Sequence, residues 1–500
     1  MSGQIIKKVV IAGGGTAGWC VATALGRALG PLLDITLIES AEIGIVGVGE
    51  ATIPTIQNFH RYLGIDERDF MRQCQAGIKL GISFDNWARR GDHYFHSFGT
   101  IGKSHWIAPF HHLWLHAKSL GFGGDLGDYC LELLAGENAK FYTGENRPLN
   151  YAYHFDTARY GPYLRKHSEA SGVKRVEGKI IQVEQAPESG YVTAVKLEAG
   201  VRIEGDLFID CTGFRGLLIE QTLKTGYEDW SHWLANDSAW ACQTGLYGRL
   251  NPYTSAIAHQ AGWRWEIPLQ ERIGNGFVFS SHHMSDDEAR TTFMKQLRAP
   301  VRTEPFLVKF RTGRRKKIWN KNVIAFGLSS GFIEPLESTN IHLMQICAVR
   351  LVQMFPFTGI RDSEVARFNN ATEREVEKIR NFVIMHYKAT ERDDSAFWRD
   401  RRDMAIPQTL ADRIALFVES GHAYQNAGDL FRVDSWVQVL LGQRQVPKTW
   451  HMAGSLIDRE QSRRGMDGMR ANIARTVAAM PSQTQFIAQY LAEKPMVQPA

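Results

Sequence analysis

The chain has 500 residues, of which 44% are hydrophobic and 22% charged, with a formal net charge of +5. These values allow a large folded core and argue against a disordered chain, and nothing in them resembles the dense basic face of a nucleic-acid binder. Six scattered cysteines (Cys20, Cys74, Cys130, Cys211, Cys242 and Cys347) form no C-x-x-C pair. Their spacing argues against a zinc site or a disulfide framework and fits a reducing cytoplasm. The first strand begins within a few residues of the N-terminus, with no room for a signal peptide. No apolar run approaches the roughly 20 residues of a membrane span. A cytoplasmic protein without membrane or nucleic-acid partners, and without a metal, is the expectation.

The stretch Val9–Trp19, VVIAGGGTAGW, sets up the rest. A Val/Ile-rich strand breaks into glycines and restarts as a helix over Thr16–Leu29. Gly13, Gly15 and Gly18 stand in G-x-G-x-x-G spacing: the first permits a tight turn, the second lets a pyrophosphate approach, and the third lets helix and strand pack. Free N–H groups at the helix start face the phosphates. A second strand, Ile35–Ile38, ends in Glu39, where a carboxylate is expected to accept from a ribose 2′-OH. An acid there favours FAD or NAD over NADP; the competing reading is a glycine-rich loop used only for packing.

Next comes a second glycine-rich turn, from Gly44 through Gly47 and Gly49-Glu50-Ala51 to Pro54. Residues 55–90 read as helical, with Ile56, Phe59, Leu63, Phe70 and Cys74 at three- and four-residue spacing, although the alternation over Gly77–Trp87, around Lys79, looks like a strand. Between about 91 and 150 aromatic and histidine residues follow no clean period and read as loops and short helices. Residues 151–175 suggest a strand then a helix, and 176–186 with 190–204 a hairpin-like pair. An apolar strand then runs into Thr212-Gly213, as a strand returning beneath a cofactor would. Several antiparallel strands are expected over 240–310, among them Trp263-Arg264-Trp265-Glu266-Ile267-Pro268. The basic run Arg311–Lys321 reads as a solvated hairpin. A buried strand at 322–327 leads through Ser329–Asn340 to a helix at 341–354, and helical signals dominate beyond 361.

The predicted fold is α/β: a glutathione-reductase-type, Rossmann-like FAD-binding fold with antiparallel substrate-domain strands and a C-terminal helical subdomain. The FAD-binding module would occupy residues 1–360, interrupted by substrate segments at about 56–150 and 217–321, with a mainly helical cap over 361–500. Three strands feeding one cofactor, with no second G-x-G-x-x-G, fit FAD better than NAD.

On these motifs, together with Lys79 and Glu334-Pro335-Leu336-Glu337-Ser338-Thr339, the sequence resembles the flavin-dependent tryptophan halogenases over essentially its whole length. Trp-x-Trp-x-Ile-Pro combined with the glycine triplet is specific to that family; hydroxylases with similar FAD folds lack it. The resemblance implies a halogenase that uses reduced FAD and O2 to form hypohalous acid from chloride or bromide at the flavin. The acid then reaches an indole-like, electron-rich aromatic by way of Lys79, for electrophilic substitution. It places the flavin at Gly13, Gly15, Thr16, Ala17, Gly18, Glu39, Gly49, Glu50, Ala51, Gly213, Gly327 and Leu336. Glu337 matches the glutamate that stabilises the cationic ring or accepts its proton. Halide falls at Thr339 and Asn340, a position where many members carry glycine. His96 and Phe98 match an H-x-F pair walling the indole pocket, and Trp263 and Trp265 the residues separating flavin from substrate.

Each has a blander reading. A lone lysine is usually solvated, and Glu337 could serve a helix N-terminus. His96 and Phe98 could fill a core, and two tryptophans two apart could pack a sheet face. Over Ala411–Trp450, Tyr424, Phe431 and Trp436 are present, but no Tyr-Tyr or Phe-Trp pair that would grip free tryptophan; the Phe-Trp in the chain is Phe397-Trp398. Indole, another heteroarene or a larger carrier-bound substrate therefore fits better. A separate flavin reductase is the implied transient partner, and a homodimer is left open. The rivals are a flavin-dependent aromatic hydroxylase and a non-catalytic flavoprotein module.

Overall fold

Four of the five residues of Lys8–Ala12 are buried, and they form the central strand of a six-stranded sheet. This computed structural model describes residues 5–40, 42, 49–144 and 149–492. The strand order is Trp319–Asn320, Val323–Ala325, Leu207–Asp210, Lys8–Ala12, Asp34–Glu39, Lys174–Glu177. All neighbours are parallel except the first pair. Such strands are covered on both faces and so read as continuous apolar runs. On one face a three-stranded sheet, Ile180–Gln185, Val192–Leu197 and Arg202–Glu204, packs Val192, Val195 and Leu197 against Val10, Ile38 and Phe208. The helices Thr157–Ala170 and Asn340–Gln353 pack against the helix Thr16–Leu29.

The chain divides into two compact units, each made of three segments. The first, Met1–Gln75, Phe155–Asp237 and Lys309–Glu377, contains this Rossmann-like sheet. The second comprises Ala76–His154, Ser238–Val308 and Lys378–Ala500. Its seven-stranded sheet runs Phe306–Lys309, Ser238–Thr244, Ile273–Phe279, Gly262–Pro268, Thr254–His259, Gly81–Asp85, His93–Ser97. The expected antiparallel strands are here; Thr254–His259 lies parallel to Gly81–Asp85. The C-terminal part is helical, as expected, with Ala396–Asp403, Gln408–Ser420, Val433–Gly442, Arg459–Ala478 and Gln483–Ala492. Among the described residues no helix is long and apolar enough to cross a membrane. All six cysteines are free.

Three local expectations need correction. The helical signal from 55 ends at Gln73, in the helices Thr55–Leu63 and Glu67–Gln73. Gly64 in the left-handed conformation stops the first, and the Asp66 carboxylate caps the second by accepting from Asp69 N. Residues 93–97, read as loop, form the edge strand His93–Ser97; Tyr94 through Ser97 are all buried, which erased the alternation that marks a half-exposed strand. The basic run at 311–321 is solvated only in part: Arg311, Lys316 and Lys317 are exposed, but Arg314 and Arg315 are buried. Gly313–Arg315 is the middle strand between Tyr227–Asp229 and Gly331–Phe332. Arg314 pairs with Glu228 at 2.8 Å, Glu377 at 3.5 Å and Glu373, and Arg315 with Glu220 at 2.8 Å. Those partners are far away in sequence, so the run alone could not reveal burial.

Within the glycine triplet, Gly18 is a packing requirement. A Cβ on Gly18 would lie 1.9 Å from the Gly13 carbonyl oxygen, a backbone atom that cannot swing away. Gly18→Ala is expected to destabilise the protein by about 1–3 kcal/mol, as overpacking does, and to lower flavin occupancy. Urea unfolding and the absorbance of bound flavin measure both; wild-type values for the two would show that the turn is not this tight.

Candidate active site

In the first unit the glycine positions converge. Gly13 has φ 112°, and a Cβ there would sit 2.4 Å from Cys211 O, so the turn between strand and helix passes directly over the end of the neighbouring strand. Gly15 and Gly213 instead face open space, with no atom within 4 Å of where a Cβ would lie. Gly15 is also the N-cap of Thr16–Leu29, with no side chain capping the helix and no acid in its first turn. Uncovered N–H groups and an open glycine face are what a pyrophosphate needs. Gly327, at φ 61°, closes over Ala17: a Cβ on it would be 2.6 Å from Ala17 Cβ. Beside it the turns Gly213–Arg215 and Gly327–Ser329 pack together.

Asp210 organises that junction, a role not visible in the sequence. Its fully buried carboxylate accepts from Thr212 N at 3.0 Å, Thr212 Oγ1 at 2.6 Å, and Leu218 N and Ile219 N, each at 2.8 Å. An acid closing an apolar strand was the available signal, since it must find donors or stay out of the core. Glu39 does end its strand as expected, but its carboxylate is already engaged. It accepts from Trp19 Nε1 at 3.1 Å and from Arg175 Nε, and Arg165 lies 3.7 Å away. Gly49, at φ 118°, leads into the short strand Glu50–Ala51, whereas Gly44 and Gly47 fall outside the described residues.

The Glu334–Thr339 motif also belongs to this unit. Glu334 is fully buried and accepts from Asn236 Nδ2 at 2.8 Å. Pro335–Glu337 is a single 3-10 turn in which Leu336 and Glu337 are buried. Ser338, left-handed at φ 59°, then reverses the chain into the helix Asn340–Gln353. Glu337, 1% exposed, is therefore not a solvated acid on a helix end. Thr339 is the helix N-cap and has no exposure, yet its Oγ1 has no hydrogen-bond partner among the described residues. Asn340 and Gly327 line one cavity, together with Phe332, Ile333 and Met344.

The second unit holds Lys79, His96, Phe98, Trp263 and Trp265. All three residues of Gly77–Lys79 are buried, and the strand pairs antiparallel with Ala152–Phe155, Lys79 opposite Ala152 and Gly77 opposite His154. Lys79 and His154 thus share one face. Lys79 has no exposed surface, and its Nζ lies 5.1 Å from the centre of the Phe98 ring, within cation–π range. Phe98 N donates to Leu80 O, which ties the Phe98 turn to the residue after Lys79. His154, also without exposure, shares a 2.9 Å hydrogen bond between Nε2 and Thr254 Oγ1. Burial, and then the Lys79 charge, hold its pKa well below the ordinary imidazole value, so the ring beside Lys79 is neutral. His154 was missed in the sequence because it reads as one more residue in an aromatic stretch.

Trp263 and Trp265 point the same way from their strand, ring centroids 5.9 Å apart. Trp265 packs over Gly276, where a Cβ would come within 1.9 Å of the indole, and its buried Nε1 has no partner among the described residues.

A family profile described as tryptophan halogenase matches residues 8–459. Tryptophan 7-halogenase RebH of Lentzea aerocolonigenes is 37% identical over 440 residues, covering 83% of this chain and 82% of the relative. Among solved structures, the flavin-dependent halogenase Xcc4156 of Xanthomonas campestris superposes with a TM-score of 0.96 at 48% identity, covering 97% of this chain and 99% of the other. BrvH, a flavin-dependent halogenase of Brevundimonas sp. BAL3, gives 0.93 at 41%, with 97% and 99% covered. Fold and motifs define a flavin-dependent enzyme of the Rossmann-like class. The chain belongs to the tryptophan halogenase family, which sets aside a non-catalytic flavoprotein.

The neutral histidines make stability depend on pH. Burial pushes His60, His112 and His259 down to about 3, and His154 well below its ordinary value. Unfolded imidazoles take up protons below about 6.5 and these folded ones do not. Their contribution is therefore complete above that pH and is lost progressively as pH falls from 6.5. Unfolding free energy by urea is expected to drop between pH 7 and 5, with a shallower drop in His154→Gln; equal slopes would mean that His154 is protonated in the fold.

Proposed function

We propose that the chain uses reduced FAD and O2 to oxidise chloride or bromide to hypohalous acid and delivers this oxidant through Lys79 to an indole-like arene. One observation carries the reading: a lysine without exposed surface, set against the Phe98 ring and a neutral histidine. A structural lysine would keep its ammonium in water.

The glycine cradle fits the dinucleotide: Gly13, Gly18 and Gly327 are closed by backbone or side-chain contacts, while Gly15 and Gly213 stay open. Thr16, Ala17, Gly49, Glu50, Ala51 and Leu336 would complete the flavin contacts, and Glu39 has lone pairs left for a ribose hydroxyl beside its arginine and indole partners. Reduced FAD, when bound, supplies with O2 the oxidising equivalents that turn halide into hypohalous acid. Halide would lie at Thr339 and Asn340, where the unpartnered Thr339 hydroxyl and the N–H groups of a 14-residue helix are donors for an anion. Trp263 and Trp265 keep the arene away from the flavin, so the oxidant and not the cofactor meets the ring.

At Lys79 the ammonium either donates a hydrogen bond to the hypohalous acid, raising its electrophilicity, or becomes a haloamine. In the first case the O–X bond breaks as the ring carbon takes the halogen, and the ammonium proton turns the departing hydroxide into water; in the second, water has left when the N–X bond formed, and the lysine amine is the leaving group. In both the ring proton passes to Glu337, whose carboxylate stabilises the cationic ring beforehand. His96 and Phe98 wall the arene. Curated relatives such as RebH are tryptophan halogenases; here no clamp for the amino-acid end of tryptophan stands out in the 411–450 segment, which favours indole or a similar heteroarene. A separate reductase would provide the reduced flavin.

Lys79→Ala is expected to lower halogenation by at least about 10²-fold and Glu337→Gln by about 10²-fold, the scale of a lost positioned proton-transfer group. Both should keep bound flavin, read by its absorbance. Product yield unchanged in Lys79→Ala would remove this lysine from the reaction, and near-normal turnover in Glu337→Gln would do the same for the glutamate.

A further inference from the structure

The segment expected to hold a tryptophan clamp does something else in the second unit. Phe431 stacks on Phe382, with centroids 3.7 Å apart and planes 9° from parallel, and the His96 ring lies 5.5 Å from Phe382 and 6.1 Å from Phe431. Trp436 meets Phe382 edge-on at 5.0 Å. The same segment fixes the strand and turn that carry His96 and Phe98. Arg432 Nη2 donates to Phe98 O at 2.8 Å, the Asp434 carboxylate accepts from Ile101 N at 3.2 Å, and Gln438 Oε1 accepts from Ser97 N and Ser97 Oγ, each at 2.9 Å. Side chains in an H-x-F pair held this firmly present a fixed surface.

The charges of the wall behind them are engaged within the protein: Arg432 donates to the carbonyls of Phe98 and Gly99, and the Asp434 carboxylate accepts from Ile101 N. Arg413 is a cation that could have met a carboxylate, but it lies between the Tyr424 ring at 4.3 Å and the Trp436 ring at 3.8 Å. Its Nη1 donates to Asp429 at 3.3 Å and its Nη2 to the Tyr424 carbonyl, and Asp429 is further paired with Lys378 at 2.8 Å. A carboxylate or ammonium laid against Phe431 would lose its water and find these charged groups already paired.

We infer that Phe431 is a specificity-determining residue: its ring closes the His96 side of the substrate site with an uncharged aromatic wall, selecting a compact neutral arene over one that carries an amino-acid side chain. This rests on the reading that His96 lines the substrate site. Phe382 supports the wall, and Trp436 backs it.

The test uses the full-length, flavin-loaded enzyme with a flavin reductase and bromide, with kcat/KM measured for indole and for L-tryptophan in wild type, Phe431→Ala, Phe431→Val and His96→Ala. Freeing the volume of a phenyl ring is expected to raise the ratio of tryptophan to indole kcat/KM by about tenfold or more in Phe431→Ala, mainly through a lower KM for tryptophan. Phe431→Val should move it part of the way, and it carries the test if the alanine variant does not fold. An unchanged ratio in folded, active Phe431 variants, with His96→Ala impaired on indole, overturns the inference alone. An undiminished kcat/KM for indole in His96→Ala instead overturns the site reading beneath it.

Discussion

A lysine with no exposed surface is a costly thing to build, and much of the second unit is arranged around it. An ammonium taken out of water loses several kcal/mol of hydration unless its surroundings compensate. The Phe98 ring offers the negative face of its quadrupole at 5.1 Å, and the histidine on the same face of the strand pair is held neutral. Burial and the charge of Lys79 both hold the His154 imidazole well below its ordinary pKa. The backbone contributes as well, because Gly77–Lys79 is pinned by pairing with Ala152–Phe155 and by Ile78 N donating to Gln483 at 3.1 Å. Lys79 therefore has a defined place.

The first unit solves a different problem, keeping a backbone surface bare enough for a dinucleotide. Gly13 and Gly18 are used up by chain packing, and Asp210 spends its whole carboxylate on the turn that carries Gly213. With those groups satisfied internally, the donors left over are the ones a ligand can use: the uncapped start of Thr16–Leu29 and the Thr339 hydroxyl at the start of Asn340–Gln353.

Much of this was legible from residue order, because local rules dominate where the chain turns tightly or alternates regularly. The β–glycine–α–β start at residues 8–39, the strand ending at Asp210, the Trp263–Trp265 strand and the helix following Thr339 each follow from spacing. What escaped depended on partners distant in the chain. Arg314 and Arg315 read as solvated until Glu228, Glu373 and Glu220 were found beside them. The strand His93–Ser97 was hidden because Tyr94 through Ser97 are buried on both faces. His154 looked like filler until strand register put it on the Lys79 face. The resemblance to halogenases singled out Lys79 and Glu337, since spacing alone could not separate them from a surface lysine and a helix-end acid.

The most direct test of the central claim is the identity of the product. The full-length enzyme, supplied with FAD, NADH and a flavin reductase, is incubated with indole in the presence and absence of bromide, and the products are weighed by mass spectrometry. A monobrominated indole that forms only when bromide is present is the predicted result. A hydroxylated indole formed equally well without halide would contradict the account.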